Sequence, residues 1–464
     1  MAELAVESRS DYQLLSATIT NSDRNSDLTV DIKRLISSFQ IFEHIEKSYL
    51  TAEVVFADTA NLVQDMDFQG GEKLTLEICQ SEERNEGFTI KKEFLINRIE
   101  NITRADEATD AVMLHCIEYH VFKSSLQNIS RSYRGSASKI ISKIMSEYVE
   151  RDVLSLGTET VNDLKVIIPN LNPLEACDWL KKRTVSEIGM PYYLYSVLGV
   201  ENLIMRDLGS ILEDPVINKS VPFIYAPSLN SAQLGPRKYY NIMDFKISDN
   251  EDLHSIISDG LVGGEYYFYD TMTAVPFRVK FDVEEMFQDL AQKNLLGGEN
   301  ERFVYAPDYK IKNQKLSKYN SRSITQISQN GAYRNGTRNF KSYQDDTSAS
   351  NHKRKIIAAS LKSFLSKAPI QITVKGREFL TADENYTIGK VIRILFVDTV
   401  SSSTNQTKLS FDSKKSGDYV ICASRHVFDD ENYNTTLLCG KLGALSEDIV
   451  LWVKCFTVII IDGL

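Results

Sequence analysis

Histidine is the residue type in this chain best suited to hold a metal ion, and three of its six histidines stand near other polar groups. His115 and His120 are five positions apart, so on a strand they would face opposite sides of a sheet and could not share a metal. His426 precedes Asp429 and Asp430, and the turn-forming tendency of these acids accounts for their presence without a metal. We therefore predict structural histidines and no metal site.

The cysteines show no CxxC pair and no histidine partner at the spacing of a metal site. Cysteine is a small apolar side chain that is often buried, and disulfides rarely persist in reducing compartments. The N-terminal sequence MAELAVESRSDYQ is acidic and polar, unlike a secretory signal peptide. We predict buried thiols, in a protein assembled in the cytoplasm, at Cys79, Cys116, Cys177, Cys422, Cys439 and Cys455.

Carboxylate pairs and aromatic runs are the remaining groups that could do chemistry. Glu82/Glu83 and Glu284/Glu285 stand in solvent-like or helical contexts, so neither pair is a credible glycosidase pair. The run YYFY at Tyr266–Tyr269 could stack sugars, but alternation along a strand favours core and cross-strand packing. No nucleophile elbow, phosphate-binding loop, dinucleotide fingerprint or zinc-protease motif occurs. We predict no catalytic, cofactor-binding or metal-binding residue, and hence no enzyme.

Charge and hydropathy limit the possible partners. The formal net charge of −10 argues against a general nucleic-acid binder, which needs a basic footprint. Ten lysines and arginines but only two acids lie in the basic segment, residues 312–355, which is either a solvated loop or a docking surface for an acidic partner. The apolar tail, residues 448–464, is shorter than the ~20 residues of a membrane span and is interrupted by Lys454. We predict a buried or partner-paired strand there and no membrane span.

Short runs of alternating apolar residues dominate the chain from Gln13 to Tyr119 and return after Tyr240, which predicts the strands of a barrel or sandwich. In between, SASKIISKIMSEYVE predicts a helix capped by Ser136, and Asn172 with Pro173 predicts a second helix. We expect that second helix to close on Gly189, followed by a β-hairpin. The apolar face of the first helix is predicted to comprise Ile140, Ile141, Ile144, Met145 and Tyr148.

One pattern occurs twice in the chain. Gly71 and Gly389 are each followed by apolar residues at +3, +5 and +7. Each set then leads to a similar strand, EFLI or DYVI, and through an acidic loop to a cysteine-bearing strand, VMLHC or TLLC. A duplicated β-barrel explains the shared order of three strands.

Several longer segments resemble a known family. DIKRLISSFQIFEHIEKSYLTAEVVFADTANLVQDMDFQGGEKLTLEI is similar to the opening barrel of the central baseplate hub proteins of contractile-tailed bacteriophages (myoviruses). ISRSYRGSASKIISKIM and NPLEACDWLKKRTVSEIGMPYYLY resemble the helical stretches that follow it, and SGDYVICASRHVFDDENYNTTLLCG resembles the closing hairpin of the second barrel. The resemblance spans Asp11 to Gly443, and type VI secretion spike proteins share the hub architecture.

The resemblance implies an α+β fold with two similar antiparallel β-barrel hub domains and α/β domains between and inserted. The expected first hub barrel covers residues 10–122 and the α/β middle domain residues 123–235. The second hub barrel covers 236–447, with an inserted helical and polar subdomain at 281–368, and the apolar tail follows.

The function that the resemblance implies is structural. A homotrimer would join the hexameric tail tube to the trimeric central spike in the virion baseplate, contact other baseplate and tape-measure proteins, and let DNA pass through its bore without specific binding. No cofactor is expected. Two alternatives remain open: the hub of a bacterial contractile injection or secretion device, and a carbohydrate-binding tail protein.

Overall fold

The computed structural model describes residues 12–21, 28–59, 61–65, 68, 70–80, 89–104, 109–160, 163–226, 240–247, 253–270, 276–292, 310–319, 322–328, 349–366, 369–376, 387–400, 408–412, 415–429 and 432–441. The apolar tail, Glu82/Glu83, Cys455 and much of the basic segment lie outside the described residues. No helix in the described ranges is both long and apolar enough to cross a membrane.

The first part of the chain forms strands and one short helix, as its alternating pattern predicts. Along β3 and β4, buried and half-buried residues alternate with a period of two, so each strand presents one face to the core. The elements are β1 (Tyr12–Asn21), β2 (Leu28–Asp31), β3 (Ile36–His44), β4 (Thr51–Asp58), α1 (Leu62–Asp65), β5 (Lys73–Gln80), β6 (Thr89–Arg104) and β7 (Asp110–Glu118).

The middle part mixes helices with short strands around its own core. Its elements are α2 (Tyr119–Ser125), β8 (Ser132–Ser136), α3 (Ala137–Ile144), a π-helical turn (Met145–Val149), β9 (Val153–Ser155), β10 (Asp163–Ile167), α4 (Pro173–Lys181), β11 (Tyr192–Tyr195), β12 (Leu203–Asp207) and α5 (Leu208–Glu213). The predicted hairpin is confirmed, because β11 and β12 pair antiparallel.

The helix starts were predicted well, and one helix end was not. Asn172 caps α4 in a capping box. Its side chain accepts a hydrogen bond from the Glu175 N–H, and the Glu175 carboxylate accepts one from the Asn172 N–H. Ser136 occupies the N-cap position of α3 but makes no side-chain capping bond. The expected end of α4 at Gly189 was wrong: the helix ends at Lys181, where the Thr184 hydroxyl donates to a carbonyl of the last turn.

The predicted apolar face of α3 is confirmed. Its three isoleucines and Met145 are fully buried in the middle core, and Tyr148 packs against that core from a half-buried position.

The last part of the chain returns to strands, with helices between some of them. Its elements are β13 (Phe223–Tyr225), β14 (Asp244–Ile247), α6 (Leu253–Ser258), β15 (Gly263–Asp270), β16 (Pro276–Asp282), α7 (Val283–Gln292), β17 (Lys310–Ile311), β18 (Gln314–Lys315), a 3-10 turn (Leu316–Lys318), β19 (Arg322–Ser328), α8 (Ala349–Ser366), β20 (Ile370–Lys375), β21 (Val391–Val400), β22 (Lys408–Phe411), β23 (Gly417–Asp429) and β24 (Asn432–Gly440).

One sheet of 14 strands joins the first and last parts. Its main order is β14-β20-β24-β23-β3-β4-β7-β6-β5-β1-β2, and β21 pairs with β23, β22 and β13. The fold is α+β with a mostly antiparallel sheet, as predicted. The described strands form no closed barrel, since β14 and β2 end the path without pairing to each other. The two predicted barrels are therefore not confirmed.

The sheet nevertheless contains one arrangement twice. The first repeat has the order β3-β4-β7-β6-β5, and the second repeat has the order β14-β20-β24-β23-β21. Cys116 pairs with Ala52 and Ile96 in the first repeat, and Cys439 pairs with Ile370 and Ile421 in the second. Each repeat has a β-bulge directly after its isoleucine, before Arg98 and before Ala423 respectively. Bulges fix register, so a shared bulge marks a shared backbone plan.

The glycines of the sequence echo hold equivalent places. The N–H of Gly71 donates to the carbonyl of Ile96 at 2.8 Å, and the N–H of Gly389 donates to that of Ile421 at 2.8 Å. Each isoleucine N–H donates back to the residue after the glycine. Both glycines have positive φ, +106° and +78°, which side chains rarely tolerate. The sequence echo thus corresponds to the same turn opening the same strand pair.

Candidate functional site

The structure separates the predicted histidines. His115 lies on β7, but His120 is the second residue of α2, so the expectation that both lie on a strand was wrong for His120. The chain leaves β7 at Glu118 and turns directly into the helix. His426 lies on β23 and is buried. Among the described residues, no three His, Cys, Asp or Glu side chains group as metal ligands would.

The cysteines behave as small core residues, as predicted. The five described ones are free thiols, of which Cys79, Cys116, Cys177 and Cys439 are buried and Cys422 is partly buried. Burial raises the pKa of the Cys422 thiol to about 12 and raises that of Cys116 further, so neither is a reactive thiolate.

The glutamates that begin α7 are ion-pair partners of the basic segment. Buried Glu284 pairs with Lys315, and exposed Glu285 lies 3.4 Å from Lys318. Lys318 also donates to Asp282 at 2.8 Å. This part of the basic segment therefore docks on acids of its own chain.

The YYFY run alternates across its sheet. Tyr266 and Phe268 are buried, whereas Tyr267 and Tyr269 on the other face are 39% and 46% exposed. The prediction of core packing is confirmed for the two inward residues. The exposed Tyr267 hydroxyl donates to Glu265 at 2.7 Å.

The two repeats meet at a seam that we call the junction, formed by residues 38–44 of β3 and 423–429 of β23. The strands pair antiparallel in unbroken register. Phe39 stacks on Phe428 with ring centroids 4.4 Å apart, and Phe428 stacks in turn on Tyr433 at 4.4 Å. All three rings are fully buried, so the junction is continuous with the protein core.

A hydrogen-bond network centred on a buried acid, Glu43, connects the two strands of the junction. The Glu43 carboxylate on β3 lies 3.2 Å from Nε2 of His426 on β23 and accepts the Ser424 hydroxyl. The backbone N–H of Leu198, from the middle part, also donates to Glu43. On the other side of the imidazole, Nδ1 lies 2.7 Å from the Tyr433 hydroxyl. The carboxylate therefore joins β3, β23 and the middle part, and the imidazole extends the network to β24.

These partners keep Glu43 charged despite its burial. Burial raises the pKa of the carboxyl, but the hydrogen bond and charge of His426, with the bonds from Ser424 and Leu198, outweigh it and lower the pKa below its usual value. A one-residue slip of β3 would move Glu43 to the opposite face and leave its partners unpaired in the core. The network therefore fixes the register in which the two repeats join.

A second buried cluster ties the middle part to the first repeat. Glu118 at the end of β7 accepts Arg151 at 2.6 Å, the Ser196 hydroxyl at 3.0 Å and the Leu50 N–H at 2.9 Å. Lys92 lies 4.0 Å from the same carboxylate. The cluster lines an open cleft of about 430 Å³. Because the chain itself satisfies Glu118, the cluster is a structural anchor.

His120 in this cluster is held neutral. Its Nε2–H donates to the Ser48 carbonyl at 2.9 Å, and its Nδ1 accepts from Arg151 at 2.5 Å. Burial and the adjacent guanidinium outweigh the attraction of Glu118 and lower the pKa of His120 to about 4.

Sequence reasoning singled out His426 but not its partner Glu43. The signal was present in the sequence, because Phe39, Ile41, Glu43 and Ile45 alternate with a period of two, which places an acid in a row of hydrophobic residues. The structure buries the three hydrophobic side chains. An acid on the same strand face as buried hydrophobic residues is itself buried and requires a hydrogen-bonding or charged partner.

No protein-family model and no curated protein matches the chain. The fold is similar to the tail protein from Neisseria meningitidis MC58, with a TM-score of 0.50, 10% identity, and coverage of 94% of this chain and 98% of that one. The 43 kDa tail protein of prophage MuSo2 from Shewanella oneidensis follows, with a TM-score of 0.47, 9% identity, and coverage of 92% and 98%.

A third similar structure is an E. coli type VI secretion component, described as structurally similar to the T4 bacteriophage tail proteins gp27 and gp5. Its TM-score is 0.42 at 8% identity, covering 94% of this chain and 77% of that one. The similarity to the Neisseria meningitidis tail protein confirms, at the level of fold, the resemblance that the sequence motifs predicted.

Proposed function

We propose that the chain is the structural hub of a contractile phage-tail baseplate and acts as a homotrimer. The observation that carries the proposal is the pair of repeats with matched registers, bulges and glycine turns. Three copies of such a chain present six similar wall segments, whereas its unlike middle part occurs only three times. This is what a joint between a sixfold tube and a threefold spike requires. The tail-protein fold supports the same conclusion.

The two repeats are the wall segments of the two proposed hub domains, residues 10–122 and 236–447, with residues 123–235 between them. Pairing between neighbouring copies would complete each curved wall. The partners are the tail tube protein, the central spike protein, and other baseplate and tape-measure proteins. The location is the virion baseplate, assembled in the host cytoplasm.

The role is mechanical rather than enzymatic. Among the acids and histidines considered from sequence, the described residues His120, His426 and Glu284 form hydrogen bonds and ion pairs within the chain. The net charge of −10 suits a bore through which DNA passes without binding, because like charges repel. A force-bearing wall needs fixed register, and the Glu43–His426 pair provides it at the junction.

Native mass spectrometry of the purified chain tests the proposal. The expected species has three times the 52.6 kDa mass of the chain. A tail tube protein from the same genome, added to it, should bind to the trimer. A stable monomer that also fails to bind tube protein would refute the proposed function.

A further inference from the structure

Each repeat has an open strand edge in the described part of the chain. No described strand pairs with β14 on the side away from β20, or with residues 99–103 of β6 on the side away from β7. Ile247 on the first edge is 44% exposed and Ile102 on the second is 53% exposed. Open strand edges with exposed apolar residues are sites at which another strand pairs.

The internal repeat shows what these edges match. Ile102 in the first repeat is equivalent to His426 in the second. Ile102 pairs with Val112, four residues before Cys116, and His426 pairs with Thr435, four residues before Cys439. Ile247 is likewise equivalent to Ile41. Each pairs with the residue, Ile370 or Ala52, that pairs in turn with the cysteine of its repeat. In the junction His426 and Ile41 lie directly opposite each other, and both are fully buried.

We propose that β6 of one copy pairs antiparallel with β14 of a second copy in the register of the junction. Ile102 then lies opposite Ile247, and Thr103 lies opposite Lys246. The inference rests on the proposed trimeric hub and assigns the surfaces that close it.

The exposure of the two isoleucines is explained by this contact. Beside Ile102 on the same row lies Val112, and beside Ile247 lies Ile370, and both neighbours are fully buried. Pairing the two edges joins these residues into one row of buried side chains that crosses from one copy to the next. A row of the same kind already crosses the junction within the chain, through His426, Ile41 and Ala52. Both isoleucines become core residues of the assembly.

The contact is head-to-tail, because the two edges differ. Every copy offers one β6 edge and one β14 edge, so the assembly either closes as a ring or grows as a filament. The proposed hub requires closure after three copies, giving three junctions within chains and three between them.

Cysteine crosslinking tests the register. The variants Ile102→Cys/Ile247→Cys and Thr103→Cys/Lys246→Cys each place two thiols opposite one another across the contact. Successive opposed pairs alternate between narrow and wide spacing, and both spacings lie within the Cα range of a disulfide. Gln40→Cys/Val427→Cys is the matched control within one chain, because those residues are paired in the junction. Ile102→Cys/Lys246→Cys is the mismatched control, since its side chains point to opposite faces.

Mild oxidation followed by denaturing electrophoresis should give crosslinked dimers and trimers for at least one opposed pair. The junction control should lose its two introduced thiols and still migrate as a monomer, and the mismatched control should remain monomeric with both introduced thiols free. A native trimer with no crosslink in either opposed pair would overturn the register and leave the hub proposal standing. Crosslinked ladders beyond three chains would overturn ring closure. A monomer without crosslinks would overturn the pairing, and a monomer that also fails to bind tube protein would overturn both proposals.

Discussion

Replacing Gly71 or Gly389 by alanine tests the backbone conformation that the two glycines share and the packing around them, which differs. Gly71 and Gly389 have the same hydrogen-bond frame and positive φ, so alanine strains the backbone at both, by roughly 1–3 kcal/mol. Only one site also lacks space. A Cβ on Gly71 would meet nothing within 4 Å, whereas a Cβ on Gly389 would lie 2.5 Å from the hydroxyl of buried Tyr195. Displacing that ring adds a cost of about 1–3 kcal/mol.

The Gly389→Ala variant should therefore be more strongly destabilised than Gly71→Ala, by the cost of moving Tyr195. Hydrogen exchange by mass spectrometry measures this locally, comparing peptides from β21 in the first variant with peptides from β5 in the second. The extra cost corresponds to exchange that is faster by roughly 5- to 150-fold if local opening governs it. Hydrogen exchange avoids assuming two-state unfolding, which a chain of 464 residues does not justify.

The double variant Gly389→Ala/Tyr195→Phe is the control. Removing the hydroxyl relieves the closest contact, so this double variant should recover part of the loss, after the cost of Tyr195→Phe alone is subtracted. Equal effects of the two glycine variants, or no recovery in the double variant, would refute the packing that we describe around Gly389.

Three further substitutions test the polar contacts. Glu43→Gln should weaken the junction by about 1–3 kcal/mol, and by less when His426 is already glutamine, because the two groups act as a pair; additive losses of hydrogen-exchange protection in β3 and β23 would contradict the pairing. His120→Gln, whose amide supplies a donor for the Ser48 carbonyl and an acceptor for Arg151 but does not titrate, should flatten the loss of stability as pH falls from 6.5 to about 4, and an unchanged pH profile would count against a neutral His120. Asn172→Ala should lower stability by about 1 kcal/mol through loss of the bond to the Glu175 N–H, and an unaltered melting temperature would contradict the capping role.

The sign of the His120 effect follows from its protonation states. Its pKa is lowered from 6.5 in the unfolded chain to about 4 in the folded protein, because burial and Arg151 disfavour the charged form. The contribution is complete above pH 6.5 and is lost as pH falls toward 4, since only the unfolded chain takes up the proton in that window. Its full size is on the order of 3 kcal/mol.

Local features of the fold were predictable because they depend on neighbouring residues. The capping box at Asn172, the buried face of α3 and the two glycine turns all follow from spacings within a few residues. The end of α4 was less predictable, because several residue types can stop a helix and glycine is only the commonest.

The junction was not predictable from local pattern. Its two strands are distant in the chain: Glu43 on β3 and His426 on β23 are separated by 383 residues. No periodic sequence pattern links segments so far apart. Sequence could mark Glu43 as an acid on an apolar face, but not name its partner. The same limit explains why barrels were expected: alternation predicts strands and leaves open which edges meet.

End-on electron cryomicroscopy class averages of the purified assembly test the central claim most directly. The account predicts a closed ring of threefold symmetry in which six similar wall segments alternate around a central bore. A twofold dimer, an open filament, or a threefold ring with only three wall segments would contradict it.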